Sequence, residues 1–564
     1  MHTITMYLIK LDYKNVPRYE WKKGVISENS ESIFNDGVLL EKSDVLTQYL
    51  RKNKIEPKRI YRADSPYESY FRETDNPNPW WKTFWKISNR LANKSADLIV
   101  ILKHRGRTFA VTHGHGRYLL NPMSFENDFG LKCALNALDE GKIKGAAIFT
   151  PSDIGLRTRK QTGRETTFEQ YDINILNSLL RDIAGKVNSR FSQFFSSVDG
   201  ADSLKFSYPH AAERLSRTLS ILLTLYNSTR YKKRGFKWID NFRQVRDKAD
   251  IAVLDGILLK KLNAQSRDVI LAYPAVFDAH MNPAFKYGSV AKRGKTIGHY
   301  LELDIEKQYY TELSKLPNPL TIDDLHKQSV ILCDADTQKE VNSFRIYQCL
   351  YVDIRSGVKQ YFLENGAWYL VDKDFLDEIE NNIAQLPVWT NVIPYESALI
   401  ASKSSRKQLQ ENTYNNLLQS HLAKYGKSVI LDANEVYYRN GQVEVCDVLY
   451  TDGKSFYLFH NKCKHGSSAL SHLFSQGNTS AELLTDVEFR KLANAKIGEP
   501  TLLFPTAVDL DRSKYHIVYG IISPKDKNGH FSIPLFSRIN LDLFVRNLRR
   551  FGYKVQLAYI ERKA

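Results

Sequence analysis

Five cysteines in 564 residues, Cys133, Cys333, Cys349, Cys446 and Cys463, with no CxxC among them, exclude a disulfide framework and point to a reducing compartment. Zinc ligation by Cys446, Cys463, His465 and His472 has the right atoms but the spacing of no compact finger, so the cysteines are expected to fill cores. No uncharged apolar run approaches the ~18 residues of a membrane span. The opening MHTITMYLIKLDYK alternates apolar and polar residues where a signal peptide would be continuous, so a soluble, cytoplasmic chain is expected. Only 28 glycines and 18 prolines are spread through the sequence, which excludes fibrous and mainly disordered readings.

What the chain has in surplus is positive charge. Lysine and arginine number 80 against 63 acidic residues, a formal charge of +17, and such a surplus attracts polyanions. Nucleic acid therefore leads the expected partners, and a membrane is not among them.

The length exceeds what one core organises, and the pattern predicts a multidomain α+β or α/β protein with mixed sheets and helices. Three domains are expected. Residues 1–195 read as α+β, with a strand over 3–11, a hairpin turning at Gly106, and a helix FGLKCALNALDEG stopped by Gly141. Trp80, Trp81, Phe84 and Trp85 in this stretch read as a helix pinned to the core. Residues 196–400 join a basic helical segment to a small antiparallel sheet with turns at Arg355-Ser356-Gly357 and Glu364-Asn365-Gly366. Residues 401–564 alternate helices and strands and read as an α/β domain.

The chemistry-bearing residues concentrate in that last part. A helix with Glu411 precedes a strand with Glu444 and Asp447, a turn, a second strand ending in Lys462, and a helix carrying Ser467, Ser468, His472 and Gln476. This order suits metal-dependent phosphodiester cleavage: Asp447 with Glu411 or Glu444 would hold Mg²⁺, Lys462 would stabilise the developing charge, and Ser467 and Ser468 would touch the nucleic-acid backbone. The layout resembles the PD-(D/E)xK nucleases, with one departure: His460 stands where the second acid belongs. Glu444 and Asp447 are three apart and on a regular strand would face opposite ways, so only one is expected to line the site.

Three further clusters could meet a ligand. In FAVTHGHGRYLL, Gly114 and Gly116 allow a close turn beside His113, His115 and Arg117, a loop that a nucleotide-binding enzyme could use, although it lacks the GK[ST] of a P-loop. In GLRTRKQTGRET, Arg157, Arg159 and Lys160 have the donors that fix a phosphate backbone. Arg230, Lys232, Lys233, Arg234 and Lys237 interleave with Tyr231, Phe236 and Trp238, which either stack bases or face inward and leave the charges at the surface.

FAVTHGHGRYLL, FGLKCALNAL, RTRKQT, GAWYLVD, TYNN, VEVCDVL with SSALSHLFSQGNTSAELL, and PLFSRINL with LRRFGYKVQLAYI together resemble a family of sporadically distributed bacterial proteins of uncharacterised function, over nearly the whole chain. The resemblance implies the patchy occurrence of antiphage defence genes. It also matches Lys462, whereas the missing acid is a family trait, which keeps two readings beside each other. One is a nucleic-acid-binding defence protein with a Mg²⁺-dependent or degenerate nuclease domain. The other is a non-enzymatic sensor or adaptor that recognises nucleic acid or a phage protein and passes the signal to a partner. A partner defence protein and a homo-oligomer are among the expected assemblies.

Overall fold

A computed structural model describes residues 2–13, 21–22, 25–26, 33, 55–60, 67–76, 86, 93–121, 124–150, 156–173, 175, 178–274, 281–288, 297–313, 319–439, 441–464, 467–525 and 529–563. The cluster Trp80, Trp81, Phe84 and Trp85 lies outside these residues, as do His465 and the side chains of Arg157, Ser467 and Ser468. Among the described residues no helix is long and apolar enough to cross a membrane.

The protein is a multidomain α+β chain built as two compact units, one of residues 1–149, 158–173 and 179–239, the other of 150–157, 174–178 and 240–564. The first holds a ten-stranded sheet: β1 (His2–Leu8), β2 (Ile55–Ile60), β3 (Tyr67–Asn76), β4 (Asn93–His104), β5 (Arg107–His113), β6 (Leu138–Thr150), β7 (Leu156–Thr166), β8 (Leu179–Val187), β9 (Ser197–Gly200) and β10 (Leu204–Tyr208). Their order across the sheet is β2-β3-β4-β5-β1-β10-β9-β8-β6-β7. The expected break after residue 195 falls between sheet neighbours, because β9 and β10 pair back onto β8 and β1. β4 and β5 form the expected hairpin, with Gly106 at φ +73° in its turn.

Helix α1 (Phe129–Ala137) is shorter than its sequence pattern suggests. It ends before Leu138, and Gly141, expected as its stop, lies inside β6, because pairing of β6 with β8 claims the residues that would have formed the last turn. Helix α2 (Leu215–Asn227) buries Leu215, Leu219, Leu222, Leu223 and Tyr226, a helical stripe, in the same core. That core also holds Tyr231, Phe236 and Trp238, so the second of the two readings of this basic segment is the one observed: its aromatics face inward and are not free to stack bases.

In the second unit, strands Leu350–Ser356, Lys359–Glu364 and Ala367–Val371 form the expected meander within a five-stranded sheet. The C-terminal part runs α3 (Lys407–Leu422), β11 (Lys427–Ile430), β12 (Val448–Thr451), β13 (Phe456–Cys463), α4 (Ser467–Leu483), β14 (Tyr515–Ser523), α5 (Leu535–Arg550) and β15 (Lys554–Lys563). β11, β12 and β13 are antiparallel neighbours, and β13, β14 and β15 are parallel. All nine residues of β14 are buried, as expected for a central strand covered on both faces.

Candidate metal centre

The inward stripe of α3 changes character along its length. Leu422, Leu418 and Tyr414 are fully buried against the sheet, and in the N-terminal half of the helix buried Asn415, next to Tyr414, and Glu411, one turn before it, bring polar groups to the same side. The change coincides with the end of a strand. β12 begins at Val448, opposite Phe459, so from His460 onward that edge of β13 has no strand beside it among the described residues. The carboxylate of Asp447 takes the place of the missing strand acceptor, accepting the backbone N–H of Asn461, while the Asp447 N–H donates to Phe459 O at 2.8 Å.

Asp447 also fixes the turn after β11. Its carbonyl accepts from Leu431 N–H at 2.9 Å and Asp432 N–H at 3.1 Å, and Glu444 Oε1 accepts from Ala433 N–H at 2.6 Å. Ala433 has φ +58°, a left-handed conformation unfavourable for a residue with a Cβ, held here by those bonds. Asp432, Glu444 and Asp447, each half-buried, thereby offer ligand oxygens that all lie within 4.8 Å of one another.

Residues 444–447 leave regular strand geometry, so the alternation that would turn Glu444 and Asp447 to opposite faces does not operate, and both line the site. Asp432 was not anticipated from the sequence. Its signal was weak, an acid in a turn 15 residues before Asp447, brought close only by the pairing of Ile430 with Val448.

Glu411 does not join this cluster. It pairs with Lys462, Nζ to Oε2 at 2.6 Å, and accepts the Cys463 N–H at 3.3 Å. Burial alone would lower the Lys462 pKa, but the hydrogen bond and charge of Glu411, with Asp447 behind them, hold it above the ordinary lysine value. Asp447 is pushed well above the usual carboxylate range by burial and by Glu444, and Glu444 is raised by burial and by Asp432. Three acidic groups crowded beside one already paired ammonium resist ionising together, a repulsion that a bound cation would relieve.

The carboxylates have a support behind them. Asn415 Nδ2 donates to Asp432 Oδ2 at 2.7 Å, and Asn415 Oδ1 accepts from Asn461 Nδ2 at 3.0 Å. Gly520 on β14 makes room for this chain: a Cβ there would lie 1.8 Å from Asn461 Oδ1.

His460, expected at the acid position of the site, is not drawn into it. The ring is buried beside Tyr519, whose hydroxyl donates to Phe474 O of α4, and burial alone pushes its pKa down to about 3. The residue of this stretch that reaches the carboxylates is Asn461, through Asn415. Cys446 and Cys463 sit in two different hydrophobic clusters, so they share no ligand site.

The sequence model of a family of unknown function (DUF6119) matches residues 4–561. The chain belongs to that family. No curated protein matches it.

Most of the other expected binding residues of this DUF6119 chain lie in the first unit; Arg157, Ser467 and Ser468 belong to the second. Arg117 lies over the rings of Phe125 and Tyr7, at 4.6 and 5.3 Å, and 3.6 Å from Asp202. The loop before it is tied down by Asp97, which accepts the His115 N–H at 2.8 Å and pairs with Arg72 at 2.7 Å. The RTRKQT segment is the edge strand β7 and not a loop: Arg159 pairs with Asp182 at 2.6 Å, and Lys160 Nζ donates to the carbonyls of Tyr171 and Asp172. Charged residues on such an edge also discourage pairing with another chain. Lys232 and Lys237 are exposed, and Ser467 and Ser468 open α4.

Proposed function

We propose that this protein binds nucleic acid and cleaves phosphodiester bonds at a divalent-metal site formed by Asp432, Glu444 and Asp447, in the setting of bacterial defence against phage. The observation that carries the reading is the convergence of these three carboxylates at the fork between β12 and β13, next to the Lys462–Glu411 pair. Hard oxygen ligands and crowded acidic groups fit Mg²⁺ or Mn²⁺, and Asp432 supplies the second acid that the His460 position lacks. The order α3-β11-β12-β13-α4-β14, with β13 and β14 parallel, resembles the core of the PD-(D/E)xK nucleases.

Such a cation supplies Lewis acidity toward a phosphoryl oxygen and lowers the pKa of bound water. Lys462 lies beside the carboxylates and remains protonated, so it can stabilise negative charge developing on the phosphate. Glu411 aims the ammonium, and Asn415 holds Asp432 in place. The +17 surplus of the chain draws the polyanion toward the site.

The test is incubation of the purified chain with plasmid, single-stranded DNA and RNA in Mg²⁺, Mn²⁺ or EDTA. Cleavage in the metals, absent in EDTA and in Asp447→Ala, is expected. Cleavage indifferent to EDTA and to Asp447 would reject the site. Metal-independent binding with no cleavage would move the reading to a sensor.

A further inference from the structure

Where α1 ends, three stretches of the first unit are fastened to one another. Arg234 donates to the carbonyls of Leu135 and Leu138 and pairs with Glu140 at 2.6 Å, satisfying groups that the helix end leaves free. Asn136 accepts the Tyr231 N–H at 3.0 Å and donates to the carbonyls of Leu225 and Ser228 at 2.9 Å. The Asn188 N–H donates to Ala137 O at 2.9 Å, and its side chain accepts the Arg190 N–H. The basic turn 230–234 and the segment at Arg190 are thus held in place by buried bonds, while Arg190, Arg230 and Lys233 remain exposed.

These residues surround a cavity of about 470 Å³, a size in the ~300–1,000 Å³ range of ligand pockets. Two acids also line it, but Glu140 is taken by Arg234, and Asp139 by the Gly141 N–H and, at 3.6 Å, Lys142. Among the described residues, Arg190, Arg230 and Lys233 face the cavity with no carboxylate paired to them. Burial and the charges of Arg230 and Arg234 hold the Arg190 guanidinium below its ordinary pKa, which shows like charges crowded together.

We propose that this pocket binds a phosphate monoester or polyphosphate, presented either by a free nucleotide or by the 5′-phosphate end of a nucleic acid. Several cations converging on one concavity match a group of two or more negative charges on one phosphate or adjacent phosphates. A diester backbone, with one charge per phosphate spread along a strand, would be met by a stripe. Among the described residues no aromatic ring lines the cavity, so the ligand is recognised by its phosphates and not by its bases. The inference is independent of the metal centre, which belongs to the other unit.

The experiment is calorimetric titration of the full chain in EDTA at ~50 mM salt, where phosphate contacts are strong. The probes are pyrophosphate, ATP, and one single-stranded oligonucleotide with either a 5′-phosphate or a 5′-hydroxyl. Pyrophosphate and at least one of ATP and the 5′-phosphorylated strand should bind. Arg230→Ala combined with Lys233→Ala should weaken that binding about tenfold or more, as expected for lost hydrogen bonds to a charged group. Arg190→Ala should weaken it several-fold, and Lys205→Ala, which removes one exposed charge on β10 outside the cavity, less than about twofold. ATP binding alone identifies a nucleotide as the source, and preference for the phosphorylated strand identifies a nucleic-acid end. Failure of every probe to bind, equal loss in Lys205→Ala and Arg190→Ala, or equal pocket-dependent binding of the two strands would overturn the proposal.

Discussion

Asp447 accepts the backbone N–H of Asn461 at the point where β13 loses its strand neighbour. A side chain thus completes the sheet edge, and the same carboxylate is one of the three that converge. The fork satisfies the backbone and brings acidic groups together with one residue.

Asp447→Ala and Asp432→Ala should each abolish metal-dependent cleavage and the metal-induced rise in Tm, with nucleic-acid binding retained. At ~100 times Kd a bound metal stabilises by about 2.7 kcal/mol, which differential scanning calorimetry resolves. Persistence of the full rise in both variants would place the metal elsewhere.

That rise should depend on pH. Asp447 and Glu444 hold their protons to higher pH in the folded chain than in the unfolded one. They contribute no cost below the ordinary carboxylate range, and a growing cost as pH rises through it toward the raised folded values. A divalent cation offsets the cost only when the carboxyls are ionised, so the Tm gain from Mn²⁺ should be larger at about pH 8 than at about pH 5. A gain that shrinks with rising pH would contradict the arrangement.

Lys462→Met should lower the cleavage rate by about 100-fold or more while leaving metal binding in place, because the ammonium meets charge that develops in the transition state. It also strands Glu411, at a cost of about 1–3 kcal/mol in urea unfolding. Glu411→Gln combined with it should recover much of that stability and none of the activity.

Asn415→Leu should weaken metal affinity about 10–100-fold, as loss of an outer-shell partner does, by freeing Asp432. Gly520→Ala should act through the same chain, since the new methyl displaces Asn461; overpacking of this kind costs about 1–3 kcal/mol. Wild-type metal affinity in both would show that the asparagines serve stability alone.

His460→Asp should destabilise the fold and bring no gain of cleavage. A carboxylate there would sit in the buried place of a neutral ring beside Tyr519, without a cation. Increased Mg²⁺ affinity in this variant would mean that position 460 faces the metal after all.

The sequence by itself determined the multidomain α+β class, the meander turns at Gly357 and Gly366, the β4–β5 hairpin, and the order of helix and strands around Asp447 and Lys462, because periodicity and turn chemistry act over a few neighbouring residues. Only the tertiary structure decided that Asp432 joins Glu444 and Asp447, that Glu411 serves Lys462, and that His460 turns away. These follow from strand pairing between distant segments and from a local departure from strand geometry at 444–447. Charge shows the same division. The surplus is visible in composition, whereas pairing decides that Arg159 and Arg234 are occupied within the fold and that Arg190, Arg230 and Lys233 face open space together.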